Sequence, residues 1–328
     1  MTLSDQQSAL AARLTQLATA QGALGRLVPG MHPKRLFDLP DEAYSGWYRQ
    51  IPGCQEPHPE LKLDWATAGQ LKDSWQNALR LMRTARRKMV AMQEEMDWVV
   101  YSAYGLLPKN QPAVNLLGNL DPQPIDQIER PYRLLQNEMP PPAAWSEAQK
   151  LLWRERLQVI GTNPHIGRIE QPAYKRRWDE PFGDRDFLNA YEWWLREKAE
   201  WVLQHDHGGG PVELDDWARE LRQDRRIVSA FEVALDIGNR SGNALYARDR
   251  LRGDYAGHLK RLIDEESVPD ERQEFKPKHA KLRGIDPRRY LPNGVPRERF
   301  RSVTEQPGWY VWAGKDLWGG VRGDVWDA

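Results

Sequence analysis

Cysteine is almost missing from this 328-residue chain: Cys54 stands alone. One thiol excludes an internal disulfide framework and any zinc site built from several cysteines, and it points to the cytoplasm. Net charge is missing too. Lys plus Arg and Asp plus Glu both number 47, so overall charge gives no general attraction to nucleic acid. No apolar run approaches the roughly 18 residues that a membrane-spanning helix needs. The opening MTLSDQQSALAARL has no basic stretch leading into an apolar one, so no secretory leader is expected. There is no Gly-rich phosphate loop and no Ser/His/Asp or Cys/His nucleophile pattern, hence no cofactor to assign. Strand signals are scarce, and no internal repeat is visible.

What the chain does have is helical pattern, tryptophan and locally concentrated charge. Ser4 to Ala23 opens with Ser4 and Gln7 as a capping box and carries Leu10, Leu14 and Leu17 at helical spacing. A Pro- and Gly-rich connection follows, through Pro59. The strongest helix runs from Thr67, with Gln70 completing a second capping box, to Gly105 as its C-cap. Leu71, Trp75, Ala78, Met82, Ala85, Met89, Met92, Met96 and Val99 alternate in steps of four and three, a heptad stripe that must pack along its length. At about 1.5 Å per residue the helix is roughly 50 Å long. Further helices are expected at Trp145 to Ile160, Asp186 to Gln204, Val212 to Gln223 and Asn243 to Glu266. Along Asp186 to Gln204, the residues Phe187, Tyr191, Trp194, Lys198 and Trp201 share one side. The 15 Trp read as bulky helical core. Phe300 to Trp312 suggests a short hairpin. The expected fold is mainly α: a multi-helix domain with a long heptad-patterned helix and an irregular, basic C-terminal section containing that hairpin. The division is 1–65, N-terminal helix and connection; 66–270, helical domain; 271–328, basic Trp-rich section.

Three stretches mimic chemistry. Asn163-Pro164-His165 resembles the Asn-Pro-Pro-aromatic loop with which amino-methyltransferases hold a flipped base. It lacks the second Pro and the aromatic, and it follows a helix, so a helix-ending Asn-Pro is the better account. Pro269 to Lys276, PDERQEFK, imitates a nuclease signature, but three residues between Asp270 and Glu274 are too few for the usual pair of strands. In HDHGGG the two histidines end a helix, where residues two apart do not face the same way; no metal is assigned.

Charge is uneven. From Arg272 to Arg301 ten Lys/Arg stand against three Asp/Glu, while acids gather in stretches such as Gln93 to Asp97. The candidate DNA contacts are Lys175, Arg176 and Arg177, then Lys276, Lys278, Lys281, Arg283, Arg288, Arg289, Arg297, Arg299 and Arg301. Arg80, Arg83 and Arg87, off the heptad stripe, form a secondary set. The Lys175 group suits a surface salt-bridge network with Glu170, Asp179 and Glu180 equally well, and a flank such as Arg80, Arg83 and Arg87 is usually merely solvated. In the functional reading, Lys175-Arg176-Arg177-Trp178 is an exposed corner whose cations reach phosphates while Trp178 anchors it to the core or stacks on a base.

Four stretches share a pattern. KMVAMQEEMDWVVYSAYGL, Lys88 to Leu106, resembles a helix near the C-terminal end of PglX-type adenine-specific DNA methyltransferases from BREX phage-exclusion systems. IGRIEQPAYKRRW, ending at Trp178, resembles their Ile-Glu-x-Pro-x-Tyr-Lys-Arg-Arg-Trp element. KLRG (Lys281 to Gly284) with VPRERF (Val295 to Phe300), and WAGKD (Trp312 to Asp316), resemble two later elements in the same order. IDPRRYLPN is inserted before VPRERF. The family's upstream half holds the cofactor fold and the catalytic Asn-Pro-Pro-Tyr loop; this chain opens on Met1 and has neither.

The resemblance implies a free-standing, non-catalytic relative of the C-terminal region. It would be a subunit of a phage-defence or DNA-modification system, partnered by a methyltransferase or other defence protein and touching double-stranded DNA. The alternatives are a purely protein-binding helical scaffold, for which the long heptad helix and dense Trp argue, and part of an enzyme whose site a partner completes.

Overall fold

The computed structural model describes residues 3–39, 57–107, 122–208, 210–243, 246, 255–266, 300–302 and 309–312. The protein is mainly α. Among the described residues the helices are α1 (Leu3–Leu27), α2 (Ala68–Ala103), α3 (Pro131–Gln136), α4 (Glu147–Thr162), α5 (Pro164–Ile169), α6 (Asp184–His205), α7 (Leu214–Leu221), α8 (Arg225–Arg240) and α9 (Tyr255–Glu266). Short 3-10 turns occupy Val28–Met31, Pro33–Phe37 and Gln127–Glu129. No helix among the described residues is long and apolar enough to cross a membrane.

Three short strands form one sheet: β1 (Val212–Glu213), β2 (Phe300–Ser302) and β3 (Trp309–Trp312). β2 and β3 make the hairpin seen in the sequence, pairing antiparallel with Phe300 opposite Trp312 and Ser302 opposite Tyr310. β1 adds to the other edge of β3, in the order β1-β3-β2. The sequence reading places Val212 in a helix; its backbone instead pairs with Tyr310.

Local chemistry sets the ends of α2. The Gln70 side chain accepts from the Thr67 N–H at 3.2 Å, and Thr67 Oγ1 accepts from the Gln70 N–H at 3.3 Å, a reciprocal capping box. At the other end Gly105 takes φ +69°. The Gly105 N–H donates to Ser102 O and the Leu106 N–H to Tyr101 O, which satisfies carbonyls that no further turn would meet. Leu71, Trp75, Ala78 and Met82 of the stripe have no exposure. Beyond Met89 the pattern changes: Met92 and Met96 are half-buried, while Ala91, Glu94, Glu95, Trp98 and Tyr101 are buried. That end of the helix is enclosed on more than one side.

The chain folds into two compact units: Met1–Gly30 with Leu79–Pro181, and Met31–Ala78 with Phe182–Ala328. Each unit draws on separated stretches, whereas composition suggests three consecutive segments. In the second unit Phe37 and Trp65 pack with Phe187 and Trp194 of α6 at ring separations of 5.4 to 5.9 Å. The Trp65 Nε1–H donates to Leu36 O at 2.6 Å. Tryptophan as core holds for Trp65, Trp75, Trp98, Trp153 and Trp217; Trp201 departs from it, 54% exposed and stacked on His205. The sequence reading has no helix at Arg225–Arg240, yet α8 buries Ile227, Ala230, Phe231, Ala234 and Ile237. At Gly238 a Cβ would lie 2.3 Å from the Tyr246 ring, so only glycine lets the ring close on the helix.

Candidate functional site

Two of the four stretches that carry the family resemblance meet in the first unit. Glu94, Glu95, Asp97, Trp98 and Tyr101 come from α2; Glu170, Lys175 and Trp178 come from the segment after α5. The Lys175 ammonium lies 2.6 Å from Asp97 Oδ2 and 2.6 Å from Glu170 Oε1, with Glu94 Oε2 at 3.7 Å. The Tyr101 hydroxyl donates to Glu170 Oε1 at 2.7 Å. Arg130 donates to Glu94 and, through Nη1, to Arg176 O at 2.7 Å. Arg156 of α4 makes two 2.9 Å bonds to the Glu95 carboxylate, its guanidinium set between the rings of Trp98 and Trp153 at 5.0 and 4.9 Å.

Burial makes these contacts matter. The side chains of Glu94, Arg130, Arg156 and Glu170 have no exposure, and Lys175 has 3%. An unpaired charge would be costly there. Burial alone would raise Glu94, but Lys175 and Arg130 hold it below the usual carboxylate range. Burial works against the Lys175 charge too, yet Glu94, Glu170 and Asp97 raise the ammonium above its ordinary value. Burial and the Glu94 charge push Glu170 up to about 7, against the pull of Lys175. Burial, with Glu170 next, raises the Tyr101 phenol.

This geometry corrects the sequence reading of Lys175 as an exposed phosphate contact. Its ammonium is buried in a carboxylate nest, so it does not reach the surface. Trp178 anchors the corner: it is 7% exposed, its backbone N–H donates to Gln127 Oε1, and Arg86 and Arg176 lie 5.1 and 4.0 Å from its ring centroid. A ring so covered has no free face for a base. Arg176 and Arg177 are exposed. Arg83 pairs with Glu180 at 3.2 Å, and Arg87 with Asp126 and Glu129 at 3.3 and 3.5 Å; Arg80 is exposed. Arg301 lies in β2. Lys276, Lys278, Lys281, Arg283, Arg288, Arg289, Arg297 and Arg299 lie outside the described residues, as does PDERQEFK.

Asn163 is a corner residue. It ends α4 and caps α5, with Pro164 in the first position of the new helix. Asn163 Oδ1 accepts from the N–H groups of His165 and Ile166 at 3.0 and 3.2 Å, and Nδ2 donates to Leu106 O at 2.8 Å. Its amide is thus committed to backbone, and the resemblance to a base-holding loop has a structural explanation. In the second unit His207 Nε2 contacts Glu220 at 2.7 Å. Among the described residues no group of three or more His, Cys, Asp or Glu could hold a metal ion.

Arg130, Arg156 and the buried Glu94–Glu95 pair escape the sequence reading, which notes Gln93 to Asp97 only as a gathering of acids that offsets the basic segment. The signal that could have found them is their setting. Both acids fall where Trp98 and Tyr101 extend the apolar face by helical steps.

Over 289 aligned residues the chain is 26% identical to the adenine-specific methyltransferase PglX of Streptomyces coelicolor. The match takes in 70% of this chain and 24% of that protein, so the chain spans about a quarter of its relative's length. No family model matches the chain, and no solved structure matches it.

Proposed function

We propose that the chain acts in a bacterial phage-defence or DNA-modification system, as a non-catalytic module related to the C-terminal part of PglX-type methyltransferases. It works with a methyltransferase or another defence protein and touches the DNA backbone. The observation that carries this reading is the similarity to PglX across 70% of the chain. The ionic cluster supports it, because two stretches that resemble the family are the two that interlock.

The DNA-facing cations in this reading are Arg176 and Arg177 together with the segment from Lys276 to Arg301; Lys175 is the anchor beneath them. Binding to duplex DNA is expected to be indifferent to sequence and to weaken steeply with salt. Changing Arg176 and Arg177 together to Ala should flatten log K against log salt by about two units, at roughly 0.9 per phosphate contact. Fluorescence anisotropy over a salt series measures this. An unchanged slope and affinity would remove the corner from the interface. The purified chain, incubated with labelled S-adenosylmethionine and phage DNA, should transfer no label; transfer would overturn the non-catalytic assignment.

A protein-binding scaffold is the second reading. Ile128, Leu135 and Leu151 are 60%, 44% and 46% exposed, on elements of the first unit that pack in sequence around α3. No DNA binding at low salt, with co-elution of a purified partner methyltransferase, would favour it.

A further inference from the structure

Among the described residues, the ionic cluster contains more negative than positive charge. Glu95 and Arg156 form a closed pair. Glu94, Asp97 and Glu170 are then left facing Arg130 and Lys175. Asp97 is 22% exposed and reaches water, so the surplus falls on Glu94 and Glu170, whose side chains reach none. Glu94 has Arg130 as its partner. Among the described residues Glu170 has the Tyr101 hydroxyl and an ammonium shared with Glu94 and Asp97. Its second oxygen, Oε2, is buried without a hydrogen-bond partner, as is Glu94 Oε2; unlike Glu94, whose other oxygen holds the Arg130 guanidinium, Glu170 has no guanidinium beside it among the described residues. An anionic oxygen in that position is costly; a neutral carboxyl is much less so. The charged or titratable groups around Glu170 are Glu94, Asp97 and Tyr101 from α2, Arg130 ahead of α3, Lys175 from its own segment, and Arg156 of α4 behind Glu95.

We propose that this cluster is a proton-operated latch, which holds the segment from Glu170 to Trp178 on α2 while Glu170 carries a proton and loosens that segment when the proton passes to solvent. The latch does not depend on what Arg176 and Arg177 contact, but it governs how they are presented, because both ride on the latched segment.

The sign follows from linkage. Closed, Glu170 titrates at about 7; released into water it returns to its ordinary 4.5. Between those values the closed form binds the extra proton, so opening becomes about tenfold more favourable per pH unit as pH rises. Above about 7 both forms are ionised and the dependence levels off.

Hydrogen–deuterium exchange on the whole 328-residue chain, corrected for intrinsic rates, tests this. From about pH 5 to 7, protection of the Glu170–Trp178 amides should fall on the order of tenfold per unit and then flatten, while α8 shows no matching change. Glu170→Gln keeps one acceptor and cannot ionise, so its protection should be independent of pH across that window. If Glu170→Gln fails to fold, infrared spectra of the wild type replace it: a protonated-carboxyl C=O band should disappear over the same range. A wild-type segment whose protection does not change with pH, or a variant with the same slope as wild type, would overturn the latch.

Discussion

A lysine at the head of three consecutive cations is ordinarily a surface residue, and mutation of a surface cation costs little. Lys175 is the opposite case. Its side chain is 3% exposed, and two carboxylates lie 2.6 Å from its ammonium. Lys175→Met leaves Glu94 and Glu170 buried without their shared cation, and the expected cost is about 3–5 kcal/mol. Arg177→Ala, two residues on and exposed, should cost about 0.5 kcal/mol or less. Chemical denaturation of the two variants checks the contrast. Chain order alone cannot distinguish these neighbours. What separates them is the acidic face of α2, 78 positions earlier at Asp97, which receives one and not the other.

At the scale of the element, α2 is where the sequence is most informative. Its capping box, its stripe through Met82 and its glycine stop all hold, because each depends on residues within a turn of one another. Met82 has no exposure, so Met82→Asp should cost several kcal/mol by burying an unpaired carboxylate. Arg83→Asp replaces the exposed pair with Glu180 by two exposed like charges and should cost about 1 kcal/mol or less. Thermal melts in which both variants behave alike would contradict the stripe. The sequence is silent at Glu94–Glu95, because helical periodicity locates a face but does not say whether charge on it will find a buried partner. At α8 the difficulty is another one. Ile227, Phe231, Ala234 and Ile237 keep helical spacing, yet only three residues separate this helix from α7, and no Pro or Gly marks the break between them.

The whole molecule should respond to acid with opposite signs in its two units. In the first, Glu170 is raised to about 7. Its contribution is therefore present at low pH and lost as pH rises from 4.5 to 7. In the second, burial, with Lys34 and Arg35 adding to it, lowers His32 to about 3 from 6.5. Its neutral ring supports folding above pH 6.5, and that support is lost as pH falls toward 3. His32 Nδ1 accepts from the Lys34 N–H at 3.3 Å, and the ring packs edge-on to Phe182. Acidification from about pH 6.5 to 5 should therefore cost the second unit roughly 2 kcal/mol through His32, at about 1.4 kcal/mol per unit. His32→Asn keeps a capping acceptor without a titrating ring and should reduce that dependence. Hydrogen exchange read by segment separates the units; equal acid sensitivity of wild type and His32→Asn would exclude this role.

The sequence by itself determined the mainly helical architecture, the long helix and its ends, the hairpin and the corner at Asn163. Each rests on periodicity, caps or turns, where the interacting groups are close along the chain. It also carried the resemblance that the comparison with PglX supports in part. Only the tertiary structure decided that Lys175 is buried, that Arg130 and Arg156 neutralise Glu94 and Glu95, and that Trp178 is covered by Arg86 and Arg176. The reason is physical. The energy of a charged side chain depends on its partners and on water, and both are set by segments distant in sequence.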